Sequence, residues 1–362
     1  MRRVPVFRVA SLCALLVSFR GLAQTPPSAF LHFNGTSDYV EVPDSAGLSV
    51  ATTGSLTVSA WMRPDTLTFP TTEGSGYVHW LGKGQTSQQE WVFRMYSQGN
   101  TEGRQNRISF YVFNASGGLG TGSYFEDPVT PGEWIHVVGV ADGQSTHIYK
   151  NGALRDSDVY AGTITPQHGS APFRMGTRDF QSFFEGGLAR VRVWNRALSA
   201  SEIGALYASD TVPSLGLVAN YPLDGGSSTV AHDATGLHDG SIFGAAFECG
   251  SDATALCLNG GRFQVTVSWQ SPSASGAGQA QPLTTDTGYF WFFSSSNVEM
   301  ILKVLDGCAI DGAYWVFAGG LTNVAVQVIV TDLRTGAVRT YTNAQGIAFQ
   351  PIQDTSAFST CP

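Results

Sequence analysis

Apolar positions in this chain recur with a period of two far more often than with a helical period. Leu56, Val58, Ala60 and Met62 alternate with Thr57, Ser59 and Trp61, which predicts a half-buried strand over Ser55–Met62. Phe30 to Val42 reads as strand, turn and strand, with Asn34-Gly35 as a hairpin turn. Further strands are predicted at Tyr77–Gly82, Trp91–Tyr96, Ile108–Phe113, Trp134–Val140, Phe173–Gly176 and Gly187–Trp194. A strand at His147–Tyr149 runs into a second hairpin turn, Asn151-Gly152. One segment has a helical period, Ala200 to about Ala208. Ser199 and Glu202 form its capping box, and Ile203, Leu206 and Tyr207 form its apolar face.

From about Leu256 the alternation resumes, in Phe263–Trp269, Tyr289–Phe293, Val298–Leu305, Tyr314–Ala318, Val324–Thr331 and Val338–Tyr341. Ser271–Ala280 is rich in Ser, Gly and Ala and reads as a loop. One short helix among so many strands defines an all-β chain. The expected architecture is a sandwich of two antiparallel sheets followed by a second, smaller β-sandwich.

Composition sharpens this picture. Only 13% of the 362 residues are charged, about half the usual globular share, while glycine numbers 42. Coiled coils and long surface helices are thereby excluded. The formal charge is −8 and no Lys/Arg cluster follows the first twenty residues, which argues against nucleic acid as a partner. Met1–Ala23 has the pattern of a secretory leader. Arg2, Arg3 and Arg8 precede an apolar run from Val9 to Phe19, and Gly21 and Ala23 are small residues at the cleavage positions. No later segment reaches transmembrane length. The expected location is therefore extracellular, by export through a cleaved leader. Beyond the leader four cysteines remain, Cys249, Cys257, Cys308 and Cys361. An even count in an exported chain points to disulfides, and of three possible connectivities the positions favour 249–257 with 308–361.

Phe33-Asn-Gly-Thr-Ser-Asp-Tyr-Val, Leu56-Thr-Val-Ser-Ala-Trp, Trp134-Ile-His-Val and Gly187–Ser199 together resemble the laminin-G-like jellyroll domains of the concanavalin A-like lectin/glucanase superfamily. Leu217–Asp224 and Asp233–Gly240 resemble a strand and loop that accompany such domains, so the resemblance covers residues 28–247. Leu256–Phe263 and Thr287–Phe293 look like a β-rich module at the end of some secreted bacterial proteins, giving a second unit over 256–362. The first resemblance implies carbohydrate or another extracellular surface ligand as partner. It also implies one structural calcium ion, for which Asn34, Asp38 and Asp233 match the ligand positions. The alternative for those residues is that they only shape turns.

The same superfamily contains glucanases, which need two carboxyl groups on one face. No E-x-D-x-x-E run exists here, and the closing strand has Ala189-Arg190 where family members carry acids. Motifs for nucleophilic or metal-dependent hydrolysis are missing too. The chain therefore reads as non-enzymatic. Its candidate ligand residues are the stacking and hydrogen-bonding groups Arg178, Asp179, Phe180, Phe183, Phe184 and Glu185, with Tyr77, Tyr96, Tyr124 and Phe125 as further loop aromatics. Two other readings stand beside binding: a structural or adhesive module acting through protein contacts, and, less favoured, a glycoside hydrolase.

Overall fold

The computed structural model describes residues 26–114, 120–225, 229–250 and 253–361. The predicted leader falls in residues 1–25, outside the described residues. Among the described residues, no helix is long and apolar enough to cross a membrane.

The chain is all-β, a sandwich of two eight-stranded sheets followed by a smaller one of two five-stranded sheets. Sheet I orders the strands Ala153–Val159, Ser145–Lys150, Ile135–Ala141, Leu56–Pro64, Glu185–Trp194, Ala29–Asn34 and Ala246–Cys249, and Leu217–Tyr221 also pairs with Glu185–Trp194. Sheet II orders Val230–Ala231, Gly240–Phe243, Tyr39–Val42, Phe173–Met175, Tyr77–Gln85, Gln88–Tyr96, Ile108–Phe113 and Gly120–Phe125. Their facing surfaces hold one core, in which Phe33, Trp80, Trp91, Phe93, Phe110, Phe173 and Phe184 are fully buried.

Two local expectations change. Ala29–Asn34 and Tyr39–Val42 do not pair with each other. The Asn34-Gly35 turn instead carries the chain from sheet I to sheet II. Nor is Leu56–Pro64 half-buried. The capped helix Ala200–Ser209 lies against the outer side of sheet I, where Ile203 and Leu206 pack on Val138, Val140 and Trp194, and Tyr207 stacks near Trp61. The strand's second face is thus covered, and Trp61 is 3% exposed.

Sheet III orders Ala255–Leu258, Phe263–Gln270, Ala325–Asp332 and Ala337–Asn343, and Ser275–Ala277 also pairs with Phe263–Gln270. Sheet IV orders Gln279–Pro282, Thr287–Trp291, Met300–Asp306, Tyr314–Gly320 and Ile352–Phe358. Ser271–Ala280 is therefore not simply a loop: its second half closes one sheet and opens the next. Small side chains carry no periodic signal, yet their backbone still supplies ladder hydrogen bonds. Leu256, Phe263, Phe290, Leu302, Val316 and Phe358 lie in this second core, whereas Leu333, 2% exposed, packs into the first. Disulfides join Cys249 to Cys257 and Cys308 to Cys361, the expected pairing.

Candidate carbohydrate-binding face

The short strand Phe173–Met175 lies in sheet II between Tyr39–Val42 and Tyr77–Gln85. It ends at Gly176, whose φ is +86° and where a Cβ would sit 2.4 Å from the Phe33 ring. Only glycine fits there without displacement. From that point the chain leaves the sheet and returns at Phe184, whose N–H donates to the Gly176 carbonyl at 2.8 Å. The loop between is tied internally. Thr177 Oγ1 donates to the Ser182 carbonyl (2.6 Å) and accepts from the Phe180 N–H (3.1 Å), while Ser182 Oγ accepts from the His79 N–H (3.1 Å).

These ties hold Phe180 at the loop tip with φ +68°, a left-handed conformation that costs a non-glycine residue about 1–3 kcal/mol. Its ring is 46% exposed. Tyr39 meets it edge-on at 4.9 Å, and Phe243, also exposed, stacks on Tyr39 at 4.5 Å. The Arg174 guanidinium lies 4.4 Å from the Phe180 ring and donates to Glu41 Oε2 at 2.8 Å. Sheet II thus presents, on the side away from the core, the exposed rings of Phe180 and Phe243 with half-buried Tyr39 between them, beside the Glu41 carboxylate and above the buried Arg174.

Beneath the tip lies a buried polar group. Arg178 Nη2 donates to Asp179 Oδ2 at 2.6 Å, and Glu73, His79 and Asp179 bring ligand-type atoms within 4.8 Å of one another. Burial pushes the Glu73 carboxyl up to about 7, with the Asp179 charge adding to the effect. His79 Nε2 accepts from Arg94 Nε at 3.0 Å, and its Nδ1 is 2.8 Å from Glu73 Oε1. Burial first, then the charges of Arg178 and Arg94, keep this imidazole neutral. Arg94 in turn lies over the Tyr77 and Tyr111 rings, at 4.6 and 4.7 Å.

The run predicted from sequence is therefore divided among several environments. Phe180 alone is an exposed platform, Arg178 and Asp179 belong to the buried network, and Phe183 is half-buried. Phe184 is a correction: at 0% exposure it is a core residue and offers no ligand surface. Glu185 opens a strand of sheet I opposite Asn34. Phe125 is likewise in the core, Tyr96 is 3% exposed, and Tyr124 is half-buried in the strand Gly120–Phe125. The sequence reading missed Tyr39, Glu41, Phe243, Arg174, Glu73, His79 and Arg94. Alternation with Val40 and Val42 already placed Tyr39 and Glu41 on an outward face; the others reach the site through long-range pairing.

The positions matched to calcium do not fit that ion. Asn34 Oδ1 accepts N–H groups from Thr36, Ser37 and Asp38, at 2.9, 3.0 and 3.3 Å. Asp38 Oδ2 accepts the Asn34 N–H (3.1 Å), and the Asp233 carboxylate accepts N–H groups of Asn220, Thr235 and His238 in a separate turn. The Asn34 and Asp233 oxygens are thus ringed by donors, which present positive dipoles to a cation, and the Asp38 carboxylate is tied back to the Asn34 N–H. Two acidic clusters exist among the described residues, but their chemistry is also unsuited. In Asp44–Glu90–His168 the Lys83 ammonium holds the centre, 2.7 Å from Asp44 and 2.5 Å from Glu90. In Glu73–His79–Asp179 the proton donated by Arg94 to Nε2 places the imidazole proton on Nδ1, leaving no lone pair there.

Residues 34–204 match a laminin G family described as the concanavalin A-like lectin/glucanases superfamily. No curated protein matches the chain. Among solved structures, a protein of Bacteroides ovatus ATCC 8483 named a "putative carbohydrate binding protein" is 19% identical, with a TM-score of 0.45 over 63% of this chain. The chain spans 61% of the length of that structure. The heptameric SAP-like pentraxin of Limulus polyphemus is 14% identical, with TM-score 0.39 over 56% of this chain and 95% of its own. Domain 4 of AbnA, a GH43 extracellular arabinanase of Geobacillus stearothermophilus solved with arabinotriose, is 17% identical, with TM-score 0.34 over 49% of this chain and 87% of its own.

Proposed function

We propose that the chain is an exported, non-enzymatic binding protein whose 28–247 unit holds carbohydrate on the outward side of sheet II. The observation that carries this reading is the aromatic group in which exposed Phe180 and Phe243 flank half-buried Tyr39, beside the Glu41 carboxylate. Aromatic faces stack on the C–H face of a pyranose, and the Glu41 carboxylate, held in place by the buried Arg174 guanidinium, supplies an acceptor for its hydroxyls. The strained backbone at Phe180 supports the reading, since the loop's hydrogen bonds maintain a tip conformation that the residue disfavours on its own. Two disulfides and a leader-like first segment support export. Calcium has no part in the proposal.

The test is retention of the full protein on a panel of insoluble and immobilised polysaccharides, with a Phe180→Ala variant alongside. Retention of the wild type and loss in the variant is expected. No retention on any glycan would favour the structural or adhesive reading, in which this face contacts protein.

One observation favours a second reading. Glu73 and Asp179 bring carboxyl oxygens within 4.8 Å of one another, and burial raises the Glu73 carboxyl to about 7, the range a general acid uses. Their side chains are only 9% and 3% exposed, so a sugar could reach them only if loop 177–183 moved. Turnover of a retained glycan that disappears in both Glu73→Gln and Asp179→Asn would establish this reading.

A further inference from the structure

The two outward faces of the second sandwich differ sharply in chemistry. Sheet III presents Thr266, Ser268, Gln327, Thr340 and Thr342, a largely hydroxyl and amide surface interrupted by Ile329 and Val338. On sheet IV, strand alternation turns Phe290, Leu302, Val304 and Val316 into the core and Tyr289, Trp291, Trp315 and Phe317 outward. Trp315 has its indole N–H committed to the Asp311 carboxylate at 3.0 Å, so its ring is what remains to offer. Ring registers across the sheet place Thr287, Lys303, Phe317 and Gln353 on one continuous rung over four strands.

Along this rung runs a groove of about 460 Å³, lined by Thr287, Ile301, Lys303, Phe317, Gly319 and Gln353 among others. Gly319 leaves it open: a Cβ there would meet nothing within 4 Å. The groove's charge runs against that of the chain. In a protein with 28 acids and 20 bases, its lining holds one cation and no carboxylate. The Lys303 ammonium lies 5.3 Å from the Phe317 ring centroid, with Asp286 near enough to feel its field.

We propose that this groove is a second saccharide site, taking a sugar unit that bears a carboxylate. Phe317 would stack on the pyranose face, Lys303 would pair with the carboxylate, and Gln353 and Thr287 would bond the hydroxyls. The flanking rings Tyr289, Trp291 and Trp315 would extend the platform along a chain.

The test uses the full chain in affinity electrophoresis and calorimetry, with polygalacturonate and alginate as uronate polymers and a β-glucan and a galactan as neutral ones. Binding to at least one uronate polymer, weakening with salt, is expected. It should fall about tenfold or more in Phe317→Ala and Lys303→Gln, and in Gly319→Phe, which fills the groove without touching the core. Phe317→Ala should keep the retention on neutral polysaccharide that Phe180→Ala removes, which separates this site from the one on sheet II. Absence of uronate binding, binding only to neutral glycans, binding unchanged in all three variants, or a groove that yields only a protein partner would each overturn the proposal.

Discussion

Phe180 and Phe184 stand four residues apart and do opposite things. Phe184 is closed between the two sheets near Trp80 and Phe69, so Phe184→Ala should remove buried surface and leave a cavity. A loss of about 3–5 kcal/mol in chemical denaturation is expected. Phe180→Ala keeps a Cβ at the same left-handed position and removes a ring that is 46% exposed, so its unfolding midpoint should stay close to the wild type. A large stability loss at Phe180 would mean that it is a packing residue. At the same scale, the donor-ringed oxygens of Asn34, Asp38 and Asp233 predict that a calcium chelator leaves the melting temperature unchanged. A drop on chelation would show a bound ion stabilising the native state.

At the scale of elements, loop 177–183 rests on two carboxyl groups that burial and mutual repulsion set at odds. With its carboxyl raised to about 7, Glu73 is protonated in the folded chain and ionised in the unfolded chain between its ordinary range and neutrality. The native state then binds the extra proton, so this group's contribution to stability falls as pH rises towards 7. His79 and His136 act in the other direction. Both are buried and neutral when folded, His136 lowered to about 3, so stability is lost as pH falls through the ordinary histidine range. Glu73→Gln keeps the size of the side chain and removes the charge. Its melting temperature should exceed the wild type's at pH 8 and converge on it near pH 5; a difference independent of pH would contradict this assignment.

The strands themselves were legible because alternation reports which side chains are buried, and the helix was legible from its capping box. Pairing was not. Nothing in Phe30–Val42 distinguishes a hairpin from a crossing between sheets, because that depends on Glu185–Trp194 and Phe173–Met175, more than a hundred residues away. The site divides the same way. Phe180 was visible as a loop aromatic, whereas Glu73 and His79 meet Asp179 only through the fold. Gly120–Phe125 and Ile352–Phe358 escaped notice because their glycines, serines and threonines blur the period of two.

Over the whole molecule, the units proposed at 28–247 and 256–362 are joined by a short bridge, and the tail is fastened by a long one. The sequence separations are 8 for Cys249–Cys257 and 53 for Cys308–Cys361. On the chain-entropy account the longer loop should stabilise more, about 4 against about 2.5 kcal/mol. Replacing both cysteines of the long bridge by alanine should therefore lower the unfolding free energy more than replacing those of the short one. Equal losses would point to local strain or packing instead.

The central claim is that the outward side of sheet II binds sugar through its exposed rings. Calorimetric titration of the best-retained glycan decides it most directly, run on the wild type, Phe180→Ala and the Tyr39→Ala/Phe180→Ala pair, with melting temperatures taken from the same samples. The account predicts a Kd weakened at least about tenfold by Phe180→Ala, equivalent to ~1.4 kcal/mol, further weakening in the double variant, and a Phe180→Ala fold as stable as the wild type. An unchanged Kd in both variants, with both folded, would contradict it.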